Sequence, residues 1–151
     1  IQLHFAGKGP YLKKYTKMAD RLVKAGILRH TPCFGFYNAE ELKALTRKAY
    51  LYVHCALIEV EGLSCAEAVM EGVVPVIGEG RLIATPQFAL DERSLFPVSD
   101  SRALAERIDW WIEHPEERIE MGKRYVESIR KFNAEDSTRQ IIQMYKDSIA
   151  R

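Results

Sequence analysis

A chain of 151 residues, 47% hydrophobic and 28% charged, has the size and composition of a single globular domain with a full core. Its 22 Lys and Arg nearly cancel its 21 Asp and Glu; it lacks the positive field that supports non-specific nucleic-acid binding, and no nucleic-acid partner is expected. The longest apolar runs, such as residues 72–78, fall far short of the roughly 20 residues a membrane span needs; with no leader pattern read at the start, a soluble, cytoplasmic protein is expected.

The chain opens inside a strand. Ile1 to Ala6 alternate with period two and stop at Gly7-Lys8-Gly9-Pro10; this abrupt start predicts that earlier elements belong to a larger protein. Over residues 11–25, Leu12, Tyr15, Ala19 and Leu22 follow helical spacing, and Gly26 stands where a left-handed residue closes a helix. The other side carries Lys13, Lys17, Arg21 and Lys24, a basic stripe read as facing water rather than anionic lipid. Residues 31–36 form a second predicted strand. Asn38 and Glu41 then supply an N-cap and an acidic third residue for a helix to about residue 48.

Residues 50–55 predict a third strand, and residues 63–71 a helix closed by Gly72. Residues 73–77 are a fourth strand with Pro75 near its start. Strand and helix alternate with short joints, which predicts an α/β fold: a Rossmann-like parallel sheet of right-handed βαβ units, flanked by helices. Ligands of such sheets sit at the carboxyl ends of the strands. Residues 79–94 read as a long loop with one helical turn near 87–90, and loops of that length are often functional. After a short strand at 95–98, Ser99 or Asp100 caps a helix through Leu104, Ile108, Trp111 and Ile112. On it only one of Trp110 and Trp111 can face inward. Pro115 starts another helix, and the last runs from about 134 to 149 with Ile141, Ile142 and Tyr145. Cys33, Cys55 and Cys65 fit neither a zinc motif nor a disulfide framework; reduced, mostly buried thiols are expected, because free Cys packs as a small hydrophobe.

The stretch that carries chemistry is Glu59-Val60-Glu61-Gly62-Leu63-Ser64-Cys65-Ala66-Glu67-Ala68. It turns at Gly62 and enters a helix. The amides of Gly62, Leu63 and Ser64 are expected to point out of the first helical turn toward a phosphate, aided by the positive end of the helix dipole. Gly62, without a Cβ, lets that phosphate approach the backbone. Glu59 and Glu67 flank the turn. Carboxylates repel phosphate but accept paired hydrogen bonds from vicinal diols, so sugar hydroxyls at either end of a diphosphate are their natural partners. Glu61 reads as a surface carboxylate, and Arg81 and Arg93 as solvated loop arginines rather than phosphate ligands. His54, at a strand end, reads as structural or as a neighbour of the site rather than as a general base.

These residues resemble the Glu-x7-Glu motif of the retaining GT-B glycosyltransferases of family 4, also called group 1. The likeness continues through Glu67-Ala68-Val69-Met70-Glu71-Gly72-Val73-Val74-Pro75-Val76, through the Gly7-Lys8-Gly9-Pro10 turn, and through Phe34-Gly35-Phe36-Tyr37 before Glu40-Glu41-Leu42. The segment from Gln87 to Phe96 is similar to a bacterial diacylglycerol glucosyltransferase-like subgroup. The resemblance implies one nucleotide-sugar-binding domain over residues 1–151, the C-terminal half of a GT-B fold truncated at its N-terminal end. Glu59 would contact the donor hexose as the catalytic residue and Glu67 the ribose. The amides of Gly62, Leu63 and Ser64 would hold the distal phosphate, the backbone at Tyr37 the nucleobase, and Gly7 and Gly9 would form the glycine turn of the donor site. It further implies hexose transfer from a UDP-sugar with retention, no cofactor and no metal. The partner would be an N-terminal acceptor-binding domain of the same enzyme, with a lipid acceptor or a peripheral place at the inner membrane face. The family's usual first strand and helix, with their diphosphate-clamping basic residues, do not precede Ile1; Lys8 is a weak substitute. A fragment of this kind is expected to be inactive alone. The readings that compete are a UDP-N-acetylglucosamine epimerase-type domain and a non-catalytic Rossmann-like interaction module.

Overall fold

A computed structural model describes residues 1–130 and 132–149. It is an α/β fold of parallel sheets flanked by helices, as the alternation predicts. The chain divides into two compact units, residues 1–45 and the remainder from Thr46 onward.

In the first unit, β1 (His4–Ala6) pairs in parallel with β2 (Cys33–Gly35), His4 opposite Cys33 and Ala6 opposite Gly35. Phe5 and Phe34 stack across this register at 4.8 Å. Between the strands runs α1 (Leu12–Lys24). It is closed by Gly26 at φ 70, with the Gly26 N–H donating to Val23 O at 3.0 Å and the Ile27 N–H to Leu22 O at 2.9 Å. These are the two bonds that satisfy a helix's last carbonyls when a left-handed residue follows it. α2 (Ala39–Arg47) begins with a reciprocal cap: the Glu41 N–H donates to Asn38 Oδ1 and the Asn38 N–H to Glu41 Oε2, each at 2.9 Å. The unit boundary falls inside this helix.

The second unit holds a three-stranded parallel sheet in the order β3 (Tyr52–His54), β4 (Pro75–Glu79), β5 (Leu95–Pro97). Pro75 opens the central strand, where a missing N–H is best tolerated, and Val76, Ile77 and Gly78 behind it are buried. α3 (Leu63–Met70) connects β3 to β4, and α4 (Ser101–Glu113), α5 (Pro115–Ile129) and α6 (Ala134–Ile149) follow β5. The core joins Cys65 and Val69 of α3, Val76 and Ile77 of β4, and Phe96 of β5 to Trp111, Met121 and Tyr125 of the later helices. α5 packs on the end of α3 so closely that a Cβ on Gly122 would collide with the carbonyl oxygen of Gly72. Trp111 is fully buried while Trp110 is half-buried, as one inward-facing position demands. Asp100, not Ser99, caps α4, accepting from the Arg102 and Ala103 amides at 3.0 and 2.9 Å.

Two expectations change. Of the three thiols only Cys65 is buried; Cys33 and Cys55 are exposed, because one lies in a two-stranded sheet too small to cover it and the other just beyond the end of β3. The segment read as a loop with one turn holds two short 3₁₀ turns, Thr85–Phe88 and Glu92–Ser94. The core pins it down: the Tyr125 hydroxyl donates to Ser94 Oγ at 3.0 Å and accepts from the Leu90 N–H at 3.2 Å, and Trp111 Nε1 donates to Arg93 O at 3.1 Å. Among the described residues no helix is long and apolar enough to cross a membrane. Ile141 and Ile142 of α6 stay about half exposed.

Candidate functional site

Glu59 lies past the end of β3, and a single parallel bridge to Ile83 fixes its backbone. Its N–H donates to Leu82 O and its carbonyl accepts from the Ala84 N–H, both at 2.9 Å. The main chain is thus tied on both sides while the carboxylate stays partly exposed. Three residues on, Gly62 takes φ 78 and ψ 40 and starts α3. A Cβ there would stand 2.8 Å from Thr85 Oγ1, so the turn is built for glycine on both conformational and steric grounds.

The first amides bonded within α3 are those of Cys65 and Ala66, which donate to Gly62 O at 2.9 and 3.1 Å. Leu63 and Ser64 precede them, where a helix has no acceptor of its own for the N–H groups. No side chain caps this helix, unlike α2 and α4. Leu63, Ser64 and Glu67 are all exposed. Glu67 lies one turn beyond Leu63 on the same face. An open helix start, bracketed by Glu59 before it and Glu67 after it, is therefore what the second unit presents.

Backbone amides at this turn favour the ionised form of Glu59. The Glu61 N–H donates to Glu59 Oε1 at 3.3 Å, and the Glu61 and Gly62 amides, with a smaller contribution from His54, hold the Glu59 carboxyl below its usual range. The other oxygen, Oε2, lies 3.6 Å from His54 Nε2. Burial pushes the His54 imidazole down, partly opposed by Glu59. The Tyr52 hydroxyl lies 3.1 Å from His54 Nδ1 and 2.8 Å from Ser64 Oγ, and burial pushes this phenol up to about 12.

Gly7, Gly9 and Tyr37 belong to the first unit. Gly7, at φ 144, donates its N–H to Gly35 O at 2.7 Å, and the Tyr37 ring covers Gly35 so closely that a Cβ there would come within 2.6 Å of it. Gly9 accepts from the Leu12 N–H at 3.2 Å. These residues collect where β1 and β2 end. Lys8 rests over the Phe36 ring at 4.4 Å. Arg81 and Glu61 are exposed. Arg93, expected to be solvated, is instead held by Asp91 and Glu117, each at 2.6 Å, and lies over the Trp110 ring at 4.5 Å; its charge is spent on fastening the loop to α5. Sequence reasoning passed over Tyr52 and Thr85. For Tyr52 a signal existed, since residues two apart on a strand share a face and His54 was already singled out.

A parallel α/β sheet with a glycine-opened, uncapped helix start at its carboxyl edge defines a Rossmann-like class of domain. Residues 1–132 match the family described as glycosyl transferases group 1, and the chain belongs to that family. The catalytic domain of cholesterol-alpha-glucosyltransferase from Helicobacter pylori is 41% identical, with a TM-score of 0.80 over 88% of this chain and 80% of that one. Sucrose-phosphate synthase from Thermosynechococcus elongatus shares the fold at 22% identity and a TM-score of 0.74, over 99% of this chain and 39% of its own. Anabaena HepE in complex with UDP does so at 15% identity and 0.75, over 97% and 40%. No curated protein matches the chain. The fold is that of the C-terminal Rossmann-like domain of GT-B glycosyltransferases.

Proposed function

We propose that this chain is the donor-binding part of a retaining hexosyltransferase of family 4 that uses a UDP-sugar and receives its acceptor from an N-terminal domain. The observation that carries the reading is the exposed start of α3, with the Leu63 and Ser64 amides open and a carboxylate on either side. Glu67 grips the ribose hydroxyls, Glu59 the transferred hexose, and the amides of Leu63 and Ser64 the distal phosphate, the Gly62 amide being turned to Glu59.

The chemistry asked of these residues is electrostatic. As the bond from the anomeric carbon to the diphosphate lengthens, positive charge grows on the sugar ring and negative charge on the leaving oxygen. Fixed amide dipoles and the helix terminus meet that negative charge without reorganising, and the Glu59 carboxylate lies on the side of the positive one. No protein nucleophile and no metal enters this scheme. The UDP carried by HepE and the alpha linkage in the name of the Helicobacter pylori enzyme support the nucleotide and the retention.

An apolar acceptor, as in the diacylglycerol-type subgroup, fits the same edge. Ile58 and Val60 flank Glu59 with 70% and 85% of their surface exposed, and Leu63 and Leu82 beside them are also exposed. Three free cysteines, two of them exposed, suit a reducing cytoplasm.

NMR titration of the chain with UDP, UDP-glucose and GDP-mannose tests the donor site. Shifts at Gly62 and Glu67 with the uridine ligands are expected, and no shift there with any nucleotide overturns the reading. Glu67→Ala is expected to weaken UDP about tenfold, the size of a lost charge-assisted hydrogen bond; unchanged affinity refutes the ribose assignment. Without an acceptor domain the chain is expected to bind donor weakly and to turn over nothing.

A further inference from the structure

Beside the proposed donor site one buried polar atom faces a carboxylate without bonding to it. His54 Nε2 is buried without a hydrogen-bond partner, yet it faces a Glu59 oxygen at 3.6 Å. Behind it, Tyr52 and His54 share one face of β3 with their rings stacked at 6.1 Å, and the Tyr52 hydroxyl reaches Ser64 Oγ in the first turn of α3.

We infer that Tyr52 and His54 are positioning residues: a relay from Ser64 through Tyr52 to His54 holds the imidazole with its proton on Nε2 and so fixes the Glu59 carboxylate for the hexose. The inference rests on the reading of Glu59 as the hexose contact.

The relay follows from counting donors and acceptors. A neutral imidazole carries one proton, on one nitrogen. Placed on Nδ1, it would leave the Nε2 lone pair facing an anionic carboxylate with nothing between, which costs both repulsion and an unsatisfied buried atom. Placed on Nε2, it lets Nδ1 accept the Tyr52 O–H, frees the Tyr52 oxygen to accept the Ser64 hydroxyl proton, and turns the contact with Glu59 into an attraction. What remains is to close 3.6 Å to the usual hydrogen-bond length of about 2.9 Å. The Glu59 main chain is tied at both its N–H and its carbonyl, so side-chain rotation alone does this. The other oxygen stays with the Glu61 amide. Because Ser64 also supplies an amide to the proposed phosphate cradle, the relay joins the two ends of the donor site.

Two measurements on the 151-residue chain test this. Nitrogen-15 NMR of histidine-labelled protein reads the tautomer directly: a protonated Nε2 on His54 is expected, and a protonated Nδ1 or averaging of the two forms overturns the relay. Calorimetry with UDP and UDP-glucose measures the extra affinity contributed by the hexose. Glu59→Gln is expected to abolish that increment and leave UDP unchanged. His54→Phe, which keeps a ring but no donor, is expected to weaken UDP-glucose about fivefold with UDP unchanged, and His54→Gln, which restores a donor, to recover most of it. If Glu59→Gln removes the increment and His54→Phe does not, the positioning role falls and the donor site stands. Equal loss of both ligands in His54→Phe marks a merely structural residue and also overturns it. A wild-type increment of zero, or one indifferent to Glu59→Gln, sinks the Glu59 assignment and the relay with it.

Discussion

At the scale of single residues, Gly62 bears two constraints that can be separated. Its left-handed φ of 78 would cost a side chain about 1–3 kcal/mol, and a Cβ would also press on Thr85 Oγ1 at 2.8 Å and Cγ2 at 3.0 Å. Gly62→Ala is expected to destabilise the chain by at least the backbone share, read by urea unfolding. Adding Thr85→Ala should return only the steric share, since Thr85 Oγ1 has no hydrogen-bond partner to lose. Full recovery would mean that the backbone is not strained. Asp91 gives a pH signature. The Arg93 guanidinium holds its carboxyl down to about 2, against an ordinary value of 3.8. The folded state therefore binds this proton more weakly than the unfolded one, and the stabilisation is complete above the unfolded value and lost as pH falls through the folded one. The stability difference between wild type and Asp91→Asn should be flat above pH 4 and shrink toward pH 2. A difference that instead grows on acidification would contradict the pairing.

At the scale of elements, the boundaries that obey local rules were legible and the long-range ones were not. Asn38 with Glu41, Gly26, Gly72, Pro75 and Pro115 each act within a few residues of themselves, and each stands at the helix or strand end expected of it. The bridge of Glu59 to Ile83 and the hold of Tyr125 on the 79–94 segment join residues far apart in the chain, and no periodicity records them. Cysteine burial was misread for the same reason: whether a thiol is covered depends on which element lies over it. The contact of α3 with α5 sets two magnitudes against each other. Replacing a helical glycine by alanine gains about 0.5–1 kcal/mol of backbone entropy, whereas forcing a methyl into filled space costs about 1–3 kcal/mol. At Gly122 the obstacle is a backbone carbonyl, which no rotamer change relieves. Gly122→Ala is thus expected to lower the melting temperature; a rise would mean that the helices shift apart freely.

At the scale of the whole molecule, the buried side chains are unevenly shared. The core from Cys65 to Ile129 lies in the second unit, while in the first only Ala19 and Pro32 are buried. Amide hydrogen exchange should be slowest in β4 and markedly faster in β1 and β2, since protection follows burial and contact density; equal protection would refute this ordering. The sheet, the helix succession and the two bracketing carboxylates could be read in advance because they follow from patterning and from one compact motif. The division into two units could not, because no single residue's preference records it.

The tie at Glu59 separates scaffold from chemistry. Because its amide and carbonyl are both engaged with the 82–84 segment while its side chain reaches solvent, the position acts as a socket: the plug can be exchanged and the wall stays put. Substitutions there should change what the side chain presents to solvent without remaking the loop that holds it.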